Sequence, residues 1–209
     1  ALSYMEHNDL NHCVRLNVSF DSPWNGANIP LSIQAFANYA TFTLGSSEAQ
    51  KMWNSLSSPA ALQLLNHSMY AAMLQPAIYS TTIQGSKTRN HYITNPNGQN
   101  FIRHPHFTTL QSDLQQMGSY PKNCRNVAIL NGKDLASTVV NVNLPYLSLN
   151  TSCNWWTSAY LNLRPTNLNN PKIFEAKFPT KWRHRYFTYN LEVPEGKSGS
   201  VRDRDIYLI

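Results

Sequence analysis

Charged side chains are scarce in this chain. Lys, Arg, Asp and Glu make up 13% of its 209 residues, so the polar surface rests on Asn, Ser, Thr and Gln. That composition points outside the cell, to a secreted or cell-surface protein. The net charge of +6 is spread thinly. Its densest run, Lys181 to Arg185 (KWRHR), reads as a solvated strand face, so nucleic acid is not expected as a partner. The three cysteines, Cys13, Cys124 and Cys153, form neither a metal spacing nor an even disulfide framework. Plain packing or one incidental pair is expected of them. No Gly-rich phosphate loop is present, which argues against nucleotide binding, and no cofactor is expected. No apolar run approaches the roughly 20 residues of a membrane span, and no signal peptide is evident. The first residue is Ala rather than Met, and the chain opens in a helix-like segment. A processed product or an excised fragment is the expectation.

What is present is organised around residues 16–32, LNVSFDSPWNGANIPLS. Val14, Leu16, Val18 and Phe20 alternate as in a strand. Asp21-Ser22-Pro23 breaks it, Asn25-Gly26 turns, and a helix opens behind Pro30, a residue suited to a first helical turn because it lacks the N–H left unpaired there. Open α/β sheets place ligands where a strand ends in a polar turn and leads into a helix.

Residues 1–12 read as helix with Leu2, Met5 and Leu10 inward. Ile33, Phe36, Ala37, Ala40 and Leu44 share a helical face, closed by Gly45. Ser47 and Gln50 form a capping box for a helix bearing Met52, Trp53 and Leu56. Ser58-Pro59 starts another, with Ala61, Leu65, Met69 and Ala72 as its stripe. The pattern dissolves over 76–105, which reads as a mobile cover or as short strands, since a bare loop of about 30 residues is uncommon in a compact domain. Phe107, Leu110, Leu114 and Met117 restore a helix that Gly118 closes. RNVAIL (125–130) reads as a strand buried on both faces. Strands are then expected at 137–149, 157–163, 172–178 and 182–193, before a loose tail. The expected class is α/β: residues 1–136 form a partial sheet with a helical cover and the 76–105 loop, and 137–209 form a β-rich extension.

The turn FDSPWNGANIP (20–30) resembles the segment after the sixth sheet strand of lipases, and ALSYMEHN resembles the helix that follows their nucleophile elbow. SSPAALQLL (57–65) and LQQMGSYPKNCRNVAILNG (114–132) look like segments of secreted lipase-like proteins of Bacteroidetes. The resemblance, over about residues 1–132, is to the α/β-hydrolases. It implies carboxylic-ester hydrolysis by a Ser nucleophile, an acid and a His in that chain order, acting on a lipid or other ester. It also implies a substrate pocket bordered by Asp21, Pro23, Trp24, Gly26 and Ile29, with Trp53 and Met69 in its acyl wall. The chain contains no G-x-S-x-G and no His after Phe187, so on its own it is expected to be inactive.

Single residues carry alternatives. Asp134 follows the RNVAIL strand where the acid of such a triad often sits, and equally fits an ordinary turn in Asn131-Gly132-Lys133-Asp134. Asp21 fits turn capping better than proton transfer. Trp24 fits a pocket wall or a buried anchor. His104 and His106 have only a His-x-His spacing, which is too little for a metal site, and none is expected. Asn17, Asn66 and Asn150 each open an N-x-S/T glycosylation sequon. In a second reading the hydrolase-like front is a scaffold. Trp155, Trp156, Trp182 and Tyr186 then bind a glycan or a protein without catalysis.

Overall fold

The computed structural model describes residues 1–20, 22, 24, 26–27, 29–77, 79–84, 88–93, 103–129, 144–145, 147–154, 157–164, 172–179 and 186–192. The first part runs α1 (Leu2–His7), β1 (Leu16–Phe20), α2 (Leu31–Phe42), α3 (Ser47–Leu56), α4 (Pro59–Leu64) and α5 (Met69–Met73). The hairpin β2 (Tyr79–Gln84) and β3 (Thr88–Ile93) follows, then α6 (Pro105–Gln116) and β4 (Arg125–Ile129). Last come β5 (Leu147–Asn154), β6 (Thr157–Leu163), β7 (Lys172–Pro179) and β8 (Tyr186–Glu192).

Two sheets result. β1 and β4 pair in parallel, from Leu16 opposite Arg125 to Phe20 opposite Ile129. The other six strands form one sheet in the order β2-β3-β8-β7-β6-β5, antiparallel except where β3 runs parallel to β8. The 76–105 stretch is therefore not a long loop. Its Thr-rich half is a hairpin in the sheet of the β-rich part, so a division at 136 cuts across that sheet.

The main core lies between α2 and this sheet. Leu31, Ala35 and Tyr39 of α2 and Met69 and Ala72 of α5 pack on Ile93, Leu161, Leu163, Ile173, Phe174 and Ala176. Tyr39 meets Phe174 at 5.7 Å between ring centroids, and burial pushes its phenol up to about 12. A bulge at Ile173, between the pairs Lys172–Glu192 and Phe174–Leu191, lets two successive β7 residues enter the core, where strict alternation would send one to the opposite face. Helix α2 is buried almost all round, with Ser32, Gln34 and Asn38 inside as well.

The other side of the sheet is polar. Thr82 and Asn90 pair on β2 and β3, and Glu175, Asn162 and Ser148 pair in a row across β7, β6 and β5. Ser148 Oγ donates to Asn162 Oδ1 at 2.7 Å. The Glu175 carboxylate accepts from Arg164 and from Lys172, the latter at 3.2 Å. Burial alone would raise the Glu175 carboxyl, but those two cations outweigh it and hold it below its ordinary value.

Several local expectations shift. Helix α3 is capped by Ser46, whose Oγ accepts from Ala49 N–H, one residue before the Ser47 box, because the chain is still extended at Ser46. The Ser58–Ala72 stripe belongs to two helices, the second capped by Ser68 through Ala71 N–H. Leu10 and Leu44 face solvent. β5 begins at Leu147, and the expected strand's first part, 137–143, lies outside the described residues. The largest correction concerns β4. It is a parallel strand but is not buried on both faces: only Val127 is even half-buried, because its single described neighbour is β1.

Candidate functional site

The parallel register puts the carboxyl ends of β1 and β4 at one edge. From that edge the first chain enters the turn toward α2. Ala27 is stitched to the end of α4, its N–H donating to Leu64 O at 2.7 Å and its carbonyl accepting from Asn66 N–H at 3.0 Å. Gly26 has φ +90°, and a Cβ there would come within 2.6 Å of Phe107 on α6 and 2.9 Å of Asn66 Oδ1 and Leu64 O. Glycine is required twice over, for the left-handed backbone and for the close approach. Trp24 donates from Nε1 to Ser19 Oγ at 2.9 Å and meets Tyr120 edge-on at 6.4 Å.

A buried amide holds this turn against the helices. Gln34 of α2, 1% exposed, donates from Nε2 to Ile29 O and His67 O, both at 2.9 Å. Its Oε1 accepts from Met69 N–H at 2.8 Å. One side chain thereby satisfies three backbone groups that burial would otherwise leave costly.

Two cavities flank the turn. The larger, about 330 Å³, is lined by Asn66, Arg103, Phe107, Thr108, Gln111, Ser112 and Gln115, and Gln111 Nε2 donates to Trp24 O at 3.4 Å. The smaller, about 200 Å³, lies among the α1 residues, Trp24, Leu114, Met117 and Pro121. Trp24 is thus a wall of the smaller cavity, and Gly26 backs onto Phe107 and Asn66 of the larger.

The other expected pocket residues part company. Ile29 packs with Trp53, Leu56 and Leu65 in a second cluster, Met69 is sealed in the main core, and Trp24 belongs to neither. An acyl pocket of Trp24, Ile29, Trp53 and Met69 is therefore not assembled; the last three are core. Asp21, Pro23 and Asp134 lie outside the described residues, as do Trp155, Trp156 and Trp182. For Tyr186 only the backbone, at the start of β8, is described.

Two clusters were not legible in the sequence. The Glu6 carboxylate accepts from His12 at 2.8 Å, Lys122 N–H at 2.6 Å and Asn123 N–H at 2.8 Å, clasping α1 to the entrance of β4. Burial opposes ionisation of Glu6, but these three donors prevail and keep its carboxyl below the ordinary value. In the hairpin, Tyr79 Oη lies 2.8 Å and Thr81 Oγ1 3.0 Å from His91 Nδ1. Burial foremost, and then the charge of Arg89, pushes His91 down to about 4, so it is neutral at physiological pH. His104 spends its Nδ1 on the His106 N–H at the start of α6. Among the described residues no three His, Cys, Asp or Glu side chains converge on a metal position, and Cys13 and Cys124 are free thiols. No described helix is long and apolar enough to cross a membrane.

Comparison with protein-family models, with curated proteins and with solved structures finds no match for this chain.

Proposed function

We propose that this chain is part of a secreted or cell-surface carboxylic-ester hydrolase of the α/β-hydrolase type, acting on a lipid or other ester and inactive by itself. The observation that carries this reading is the parallel pairing of β1 with β4 across an excursion that includes α2 to α6. Parallel strands need long crossovers and normally lie in sheets covered on both faces, yet Leu16, Val18, Phe20 and Ile129 are exposed. Such a pair is the expected appearance of two neighbouring strands from a larger sheet. Their common carboxyl edge is where α/β folds hold ligands, and the segments bearing Asp21 and Asp134 both follow from it in sequence.

In the whole enzyme the nucleophile and the His come from outside these residues, and Asp134 orients the His as the acid. The isolated chain should therefore give no turnover of p-nitrophenyl esters above background. In the native polypeptide, Asp134→Asn should lower kcat/KM by about 10³-fold or more. Undiminished activity in that variant would remove Asp134 from the mechanism, and robust, inhibitor-sensitive turnover by the isolated chain would overturn the reading.

A second reading has the back of the chain as a non-catalytic binding module. It is favoured by the polar row across β7, β6 and β5, which offers amides and hydroxyls to a glycan. Binding of a neutral glycan that Asn162→Ala weakens would support it; no binding on a broad glycan panel would remove it.

A further inference from the structure

The larger cavity combines a charge, a ring of neutral hydrogen-bonding groups and an unmet donor. Arg103 stands just ahead of α6, its guanidinium 4.9 Å from the centroid of the Phe107 ring. Its Nε is buried and finds no hydrogen-bond partner among the described residues. Among the described residues Arg103 joins no ion pair. A buried donor without an acceptor is unfavourable, more so when charged, so the arrangement favours an acceptor arriving from outside.

The other walls suit such a guest. Asn66, Gln111 and Gln115 bring amides, Thr108 and Ser112 bring hydroxyls, and among the described residues no carboxylate lines the space. A cation facing neutral donors, with no acid beside it among the described residues, selects for negative charge. Guanidinium matches the two oxygens of a carboxylate or phosphate better than any other side chain. At about 330 Å³ the cavity is at the small end for ligand sites, so it fits a small molecule rather than a polymer.

We propose that the cavity between α6 and the Asn66 segment binds a small oxyanion, a carboxylate or a phosphate, with Arg103 as its charged anchor. This stands independently of the hydrolase reading, because it uses neither Asp134 nor a nucleophile. The anion accepts from Arg103, while the amides and hydroxyls of α6 complete its shell.

The test is calorimetric titration of the native polypeptide with sodium phosphate and, separately, sodium acetate, at an ionic strength fixed with sodium chloride. Saturable 1:1 binding of either is expected, and whichever binds identifies the source of the oxyanion. Arg103→Met should weaken it at least about tenfold, and Arg103→Lys less, because a point charge replaces the fork. Gln115→Leu, at an exposed position of α6, should weaken binding severalfold and serves if the Arg103 variants do not fold. Absence of saturation with both anions, or equal affinity in folded Arg103→Met, would overturn the proposal. So would unchanged affinity in Gln115→Leu where the Arg103 variants fail to fold.

Discussion

Phe20 stands directly opposite Ile129 at the carboxyl ends of two parallel strands, and the two are 63% and 45% exposed. Apolar residues paired this way normally face a covering layer. In the isolated chain the double variant Phe20→Lys/Ile129→Glu should leave stability within about 0.5 kcal/mol and reduce self-association and binding of a hydrophobic dye. In the native polypeptide, where further strands and helices would cover the pair, the same change should cost more than about 2 kcal/mol, since charges would then be buried. Light scattering and denaturant unfolding on both proteins check this. Equal tolerance in the two would contradict the larger-sheet reading.

The Gly26 contact gives a paired comparison. Gly26→Ala meets both a left-handed backbone and an unyielding Phe107 ring, and should destabilise by about 2–4 kcal/mol. Gly45 has φ +71° with open space around it, so Gly45→Ala should cost only about 1 kcal/mol from backbone strain. Chemical denaturation of the two variants measures the difference.

Gln34→Leu keeps the volume of the side chain and strands Met69 N–H together with the Ile29 and His67 carbonyls. A loss of about 2–4 kcal/mol is expected, against less than about 1 kcal/mol for Gln63→Leu on the exposed side of α4. A neutral Gln34→Leu would show that water can replace the amide.

His91 and Glu175 contribute to the acid limb of stability in different windows. His91 is held down to about 4 from 6.5, so between those values the unfolded chain takes up a proton that the folded chain refuses. Stability falls across that window as pH drops, by up to about 3 kcal/mol. Glu175 lies below its ordinary value of 4.5; its contribution is full above that value and is lost as pH falls through the folded pKa. His91→Gln should flatten the upper step and Glu175→Gln the lower one. Melting temperature against pH for the three proteins resolves them.

Legibility followed periodicity. β1, α2, α6, β4 and the last three strands stand close to where apolar spacing placed them, because a regular apolar period marks a face suited to burial. Gly26 was legible as a turn residue, though not its contact with Phe107, which depends on α6 some 80 residues away. The hairpin at 79–93 is legible only as one of two readings, short strands or a mobile cover, since most of β2 is exposed and carries no apolar alternation. The burial of β4 was misjudged because RNVAIL reports what the strand is suited to, not which layers these residues supply. Gln34 had one signal, an amide in a largely apolar helix, and it shared that signal with Asn38. Glu6 had none, its partners being 116 and 117 residues distant.

The most direct test of the account is to purify the native polypeptide, measure its intact mass and treat it with a fluorophosphonate that labels activated serines. The prediction is a mass well above 23.8 kDa and a single labelled Ser outside residues 1–209. A mass of 23.8 kDa with no labelled serine would contradict it, as would a label on a serine within these residues.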